Sequence, residues 1–159
     1  MIEFRSHSGI YTLRVSQWLN ISMNEAWEFF SSPGNLAKIT PPHMGFVITS
    51  GNSAKMFAGQ IITYKVSPIP AGIKTNWVTE ITHVEEQHYF VDEQRFGPYS
   101  MWHHEHHFEI WGDRVLMTDR VSYKLPFGIF GRIAHTIFVR RQLKQIFDYR
   151  EDVLKKMFG

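Results

Sequence analysis

The sequence predicts an α+β domain in which a curved antiparallel sheet of about seven strands wraps around a long C-terminal helix. The first observation behind this is a two-residue hydrophobic alternation that recurs in seven stretches between Ile10 and Leu125, interrupted only by two short helical patterns after the first stretch. The second is the change of period from about Gly128 to Met157, where no proline occurs and apolar residues return every three or four positions. The third is length: 159 residues suit one core and one domain, 1–159. Strands that follow one another without intervening helices form an antiparallel meander. A long amphipathic helix then needs one concave surface to cover, so the sheet has to curl around it.

The first strand runs from Ile10 to Leu19, with Tyr11, Leu13 and Val15 on one side and Thr12, Arg14 and Ser16 on the other. Ser22-Met23-Asn24-Glu25 is a capping-box pattern that starts a short helix, which stops before Pro33. A second short helix, about Asn35 to Ile39, ends against Pro41-Pro42. Strand-like stretches follow at Gly45 to Ser50, Gln60 to Ser67, Ile73 to Val84 and His88 to Phe96, separated by the turn-forming strings GNSAKMFAG, SPIPAG and EEQ. Two longer strands, Met101 to Trp111 and Arg114 to Leu125, are joined by Gly112-Asp113, a hairpin signal. In the terminal helix Val139, Leu143, Ile146, Phe147, Leu154 and Met157 form the inward stripe, while Phe130, Ala134, Ile137 and Phe138 fall on another side.

Composition narrows the function. Net charge is +2 with histidine neutral, which offers no electrostatic footprint for a nucleic acid. There is no cysteine, so disulfides, thiolate nucleophiles and thiolate zinc sites are excluded, and a reducing cytoplasm is the expected setting. The string MIEFRSHSGIY has no apolar core of signal-peptide length, and no apolar run is long enough to span a bilayer, so stable membrane insertion is not expected. Aromatic residues make up 15% of the chain, which suits a wide interior lined by bulky, stiff side chains.

This layout, together with the string GPYSMWHHEHHFEIWGDRVLMTDRVSYKLPFGIFG, resembles the START-like (SRPBCC, helix-grip) superfamily, in a bacterial ligand-binding branch related to polyketide cyclase/dehydrase-like proteins. The matching elements are Thr40-Pro41-Pro42, Trp77, Phe90 to Gln94, the GPY turn, Trp102 with His104 and His106, Asp119, the Leu-Pro-Phe-Gly turn, and Ile146 to Arg150. The resemblance covers nearly the whole chain. It implies a cavity between sheet and helix; members of the superfamily carry lipids, sterols and polyketides, and a minority catalyse cyclisation or hydrolysis. Reaction chemistry does not follow from the fold alone.

In the strand Met101 to Trp111 the even positions, Trp102, His104, His106, Phe108 and Ile110, share the face expected to look inward. In the next strand Val115, Met117, Asp119, Val121 and Tyr123 do so. A two-residue turn at Gly112-Asp113 sets Ile110 opposite Val115, Phe108 opposite Met117 and His106 opposite Asp119, close enough to hydrogen-bond. The preceding strand offers either Asp92 and Gln94 or Glu93 and Arg95 inward. The shared parity of Phe90 and Phe96 favours the first pair, and a bulge would reverse it. Arg150 shares a helix face with Leu143 and Phe147, so it needs a carboxylate or carbonyl partner.

Trp77, Asp92, Gln94, Trp102, His104, His106, Phe108, Met117, Asp119, Tyr123, Leu143, Phe147 and Arg150 are therefore the candidate ligand-binding residues. Met56, Phe57, Phe127 and Phe130, with Ile69 and Ile129, are candidate gate residues on loops. No residue is firmly catalytic; His104, His106 and Asp119 are the candidates, and satisfying one another structurally is the simpler role for them. His103, Glu105 and His107 form an outward triplet that suggests zinc, but a solvated polar strand face explains it better, and no metal or cofactor is expected. The leading functional reading is an intracellular protein, monomer or weak homodimer, that binds or carries an apolar or amphipathic metabolite. The alternative is a cyclase, dehydratase or hydrolase-like enzyme using the His/Asp pair.

Overall fold

The computed structural model describes residues 2–51, 55–67 and 74–159. Ile69 and the start of the predicted strand at Ile73 lie outside the described residues. Eight strands form one antiparallel sheet: β1 Glu3–His7, β2 Ile10–Leu19, β3 Val47–Ser50, β4 Ile61–Val66, β5 Thr75–Glu85, β6 Tyr89–Phe96, β7 Met101–Trp111 and β8 Arg114–Lys124. Their order is β1-β2-β8-β7-β6-β5-β4-β3, so β2 closes the meander by pairing with its last strand. The strand added to the expected seven, β1, carries no hydrophobic alternation because it is an edge strand with almost every residue exposed. Its pairing with β2 comes from the Ser8-Gly9 turn, both residues in the left-handed region.

The helices between β2 and β3 follow their local signals. In α1, Met23–Phe30, the Ser22 hydroxyl accepts from the Glu25 N–H and the Glu25 carboxylate accepts from the Ser22 N–H, completing the capping box. Pro33 opens a single turn, α2, Pro33–Leu36, which continues as a 3₁₀ turn over Ala37–Ile39.

The terminal helix is continuous but not uniform. α3, Gly128–Ala134, passes into a π-helical turn, His135–Val139, and then into α4, Arg140–Phe158. Gly131, His135, Val139, Leu143 and Phe147 are all buried, a four-residue step that drifts by about 40° each time on a regular helix. The wider turn absorbs part of that drift. It is fixed by His135, whose Nε2 lies 2.8 Å from Tyr123 Oη and whose ring stacks on Tyr11 at 3.5 Å. Met157, expected on the inward stripe, is instead on the exposed side of the last turn. That end of the helix is tied to the sheet by backbone, through Asn20 N–H donating to Phe158 O and the Gln17 amide donating to Glu151 O.

Ile146 of α4, Tyr99 and Trp102 belong at once to the core built on β2 and β8 and to the core built on β4 and β5. Strands far apart in the sheet therefore meet the same helix face, which requires the sheet to curl around it. Two register shifts between β5 and β6, at Val78/Thr79 and at Ile81/His83, supply bending. Among the described residues no helix is long and apolar enough to cross a membrane.

Two glycines at turns separate backbone strain from crowding. Gly112 has φ 63° and open space around a built Cβ, whereas at Gly51, φ 80°, a Cβ would fall 2.0 Å from the Ile61 carbonyl oxygen. Gly112→Ala is expected to cost about 1 kcal/mol, and Gly51→Ala more than about 2 kcal/mol because backbone must also move. Urea denaturation of the two variants compares them directly.

Candidate functional site

Between the concave face of the sheet and α4 lies a cavity of about 180 Å³. Its wall is mainly aromatic and aliphatic. Tyr64 of β4 and Trp77 of β5 stack at 5.8 Å, Trp102 of β7 meets Trp77 edge-on at 5.4 Å, and Tyr99 packs on Trp102 at 4.8 Å. Phe29 and Phe30 at the end of α1, together with Leu143, Ile146 and Phe147 of α4, close the other sides.

One part of the wall is charged. The β7–β8 register places His106 opposite Asp119 and Phe108 opposite Met117, as the two-residue turn predicts, and the β6–β7 register places Asp92 opposite His104. Two imidazoles lie side by side, ring centres 3.8 Å apart, and each spans the gap between two carboxylates. His104 Nε2 is 2.9 Å from Asp119 Oδ1 and His104 Nδ1 is 3.4 Å from Asp92 Oδ2. His106 Nε2 donates to Asp92 Oδ2 at 2.8 Å. Its Nδ1 sits 2.9 Å from Asp119 Oδ1, an ionic contact that lacks hydrogen-bond geometry. Arg150 reaches down from α4, with Nη1 3.6 Å from Asp119 Oδ2 and its guanidinium 4.9 Å over the Phe147 ring. Phe90 stacks on His106 at 4.1 Å.

Burial makes the charge balance of this cluster decisive. Burial pushes the Asp119 carboxyl upward, but the hydrogen bond from His104, the close contact with His106 and the charge of Arg150 outweigh it and hold Asp119 well below the usual carboxylate range. Burial also opposes Asp92, which the neighbouring His104 ring, the His106 hydrogen bond and charge, and the charge of Arg150 nevertheless hold low. For His104, burial and the neighbouring His106 charge win, and its value falls. For His106, burial is overcome by the close ionic contact with Asp119, the hydrogen bond to Asp92 and the charges of both carboxylates, and its value rises. At about pH 6.5, between the lowered His104 and the raised His106, the cluster holds two carboxylates, one imidazolium, one guanidinium and one neutral imidazole, with no net charge. In neutral His104 the shorter contact assigns the proton to Nε2, which leaves the Nδ1 lone pair turned toward Asp92.

Asp92 keeps 16% of its side-chain surface, against 6% for His104 and Asp119 and 9% for His106, so it is the carboxylate that fronts the cavity. Trp77, Asp92, Trp102, His104, His106, Leu143, Phe147 and Arg150 line the cavity. Five other residues expected there do not. Asp119 sits behind the two imidazoles. Gln94 points to the same side as Asp92 but is spent on the GPY turn, its amide donating to Tyr99 O at 2.7 Å and its carbonyl accepting from Tyr99 N–H. Glu93 and Arg95 face outward and pair with His103 and Glu80. Phe108 and Met117 are buried in the core beside Trp27, and Tyr123 is buried against His135.

Of the expected gate residues, Met56 is buried in the cavity wall, whereas Phe57, Phe127 and Phe130 are exposed and do not line it. The outward His103, Glu105 and His107 are engaged with acidic and basic neighbours, including Glu93 and Arg120. Sequence reading missed Tyr64, Tyr99 and the Phe29-Phe30 pair as cavity residues. Tyr64 shares the parity of the buried Ile62 and Val66, which is the signal that could have found it. The Phe29-Phe30 pair looked like ordinary helix packing.

No protein-family model matches the chain, and no curated protein matches its sequence. Solved structures do match in shape. Protein Ms6760 from Mycobacterium smegmatis aligns over 99% of both chains with a TM-score of 0.68 and 15% identity. A norcoclaurine synthase point mutant from Thalictrum flavum, solved with a transition-state analogue, aligns over 96% of this chain and 99% of its own, with a TM-score of 0.65 and 13% identity. Ginseng major latex-like protein 151 from Panax ginseng aligns over 87% of this chain and 97% of its own, with a TM-score of 0.58 and 16% identity. The class is thus defined by shape. The chain has the helix-grip fold of START-like, Bet v1-like proteins.

The cluster predicts unequal histidines. In NMR titrations His106 is expected to hold its second proton above pH about 6.5 and His104 to lose its own below it. By linkage the His106 contribution to stability is complete below about pH 6.5 and lost as pH rises through its raised folded value. The Asp92 and Asp119 contributions are present above about pH 3.9 and lost as pH falls toward their depressed values. Asp119→Asn leaves an uncompensated buried charge and is expected to cost about 3–5 kcal/mol in denaturant unfolding.

Proposed function

We propose that the protein binds a compact amphipathic molecule in the cavity between sheet and α4, with a carbonyl, carboxylate or phenolate head turned toward Arg150 and Trp77. The observation that carries this is a pair of buried donors, Arg150 Nε and Trp77 Nε1, both in residues of the cavity wall and both without a hydrogen-bond partner. A buried unsatisfied donor costs about 1–3 kcal/mol, and a ligand acceptor removes that cost. The remaining wall is apolar and aromatic and suits an organic body.

The volume refines the ligand class. Sites for drug-sized molecules typically enclose about 300–1,000 Å³, so the present cavity favours an aromatic or short-chain metabolite over a diacyl lipid. The norcoclaurine synthase of similar shape, solved in complex with a transition-state analogue, supports small-molecule binding by this fold, although likeness of shape transfers no chemistry.

A second reading is favoured by the imidazolium of His106 at the cavity wall. Backed by Asp119 and Asp92, His106 and His104 could move a proton to or from a bound ketone, the step a cyclase or dehydratase uses. The two readings separate experimentally. Fluorescence titration with 8-anilinonaphthalene-1-sulfonate is expected to show Trp77→Phe binding about 2- to 10-fold more weakly, because the ring remains and only the N–H is lost, and Arg150→Met at least 10-fold more weakly. Unchanged affinity in both would remove the anchoring role. His106→Gln that keeps probe affinity but abolishes turnover of an aromatic ketone would establish the enzymatic reading.

A further inference from the structure

We propose that Asp92, His104 and His106 form a site for one divalent first-row transition ion, with Asp119 as its supporting carboxylate. Among the described residues these three side chains present one ligand atom each within 4.8 Å of one another. The atoms are Asp92 Oδ2, His104 Nδ1 and His106 Nε2, and the two separations from Asp92 Oδ2 are 3.4 and 2.8 Å. Ligand atoms about 2.1 Å from a common ion lie about 3.0 Å apart at an octahedral edge and about 3.4 Å apart at a tetrahedral one. The two edges that meet at Asp92 Oδ2, 2.8 and 3.4 Å, lie close to those values.

The groups behind the site argue for an ion more strongly than the triad alone. A metal-binding imidazole almost always gives its other ring nitrogen to a carboxylate, which fixes the tautomer and the ring direction. Here both distal nitrogens, His104 Nε2 and His106 Nδ1, lie 2.9 Å from one oxygen, Asp119 Oδ1. Arg150 holds the other oxygen of Asp119 from behind. The His104 tautomer assigned by the hydrogen bonds leaves its Nδ1 lone pair free toward Asp92, the arrangement an ion requires. His106 Nδ1 makes no hydrogen bond now and is close enough to donate to Asp119 once the ring turns toward an ion. Asp119 does not line the cavity whereas the three ligands do, so the ion would keep its open positions on the cavity side.

Two imidazole nitrogens and one carboxylate select zinc, iron(II), cobalt(II) or nickel(II) over magnesium or calcium, which prefer all-oxygen sets. Binding displaces the proton on His106 Nε2. The site does not depend on the organic-ligand proposal and can be tested without any organic ligand.

The test uses the full chain without a histidine tag, stripped with chelator and titrated with zinc by calorimetry at neutral pH. One ion per chain is expected, with a dissociation constant of about 10 µM or tighter. Histidine-resolved NMR on the wild-type protein should show zinc perturbing His104 and His106 and not His103 or His107, a readout that needs no variant. His106→Gln and Asp92→Asn should weaken binding at least 100-fold. Asp119→Asn, which removes a group that never touches the ion, should weaken it about 10- to 100-fold. His103→Ala and His107→Ala should bind like the wild type. Circular dichroism checks that each variant is folded. Absence of stoichiometric zinc binding by the wild-type protein would overturn the proposal, as would binding that survives His106→Gln and disappears with His103→Ala.

Discussion

The rest of the molecule is arranged around the requirement that four ionisable side chains and an arginine be buried together without net charge. The two buried carboxylates, contributed by β6 and β8, are tolerable only when matched, and the match comes from two elements: β7 contributes both imidazoles and α4 contributes the guanidinium. A one-residue slip of either hairpin would turn the histidines outward and leave the acids unpaired, so the cluster selects the register as much as the register builds the cluster. Arg150 binds the helix to this arrangement, since its position on α4 makes sense only when Asp119 lies beneath it.

Around the charged wall the protein uses aromatic rings rather than aliphatic packing. Tyr64, Trp77, Tyr99 and Trp102 form one connected group of stiff side chains whose edges and faces meet at 4.8 to 5.8 Å. Rings with few rotatable bonds can border a hollow without collapsing into it, which flexible aliphatic chains do less well. The same close packing leaves the Trp77 N–H buried without a partner. His106 Nδ1 and Arg150 Nε, likewise buried without a hydrogen-bond partner, add further unspent polarity beside it.

The terminal helix has to serve two different surfaces. Its first part meets β2 and β8 through His135 and Val139, and its second part covers the cavity through Leu143, Phe147 and Arg150. The π turn at His135–Val139 rotates one set relative to the other, and Tyr11 and Tyr123 hold it in place. Phe130, Ile133 and Ile137 consequently stay on the outside.

The sequence alone determined the strand alternation, the capping box at Ser22, the Gly112-Asp113 turn and, through them, the pairing of His106 with Asp119, because all of these are local patterns with fixed periods. It also marked Arg150 as a buried cation in need of an acid. What only the tertiary structure decided was which inward residues reach the cavity and which are consumed elsewhere. Gln94 is taken by a turn, Tyr123 by His135, and Phe108 and Met117 by a separate core, while Tyr64 and Tyr99 reach the cavity from a strand face and a turn whose local patterns do not say what they meet. The four-way meeting of Asp92, His104, His106 and Asp119 was equally invisible, since Asp92 belongs to a strand whose bulges against β5 no periodicity reveals. Alternation says which way a side chain points; sheet curvature, bulges and the seating of a helix say what it meets there, and those depend on contacts between residues distant in the chain.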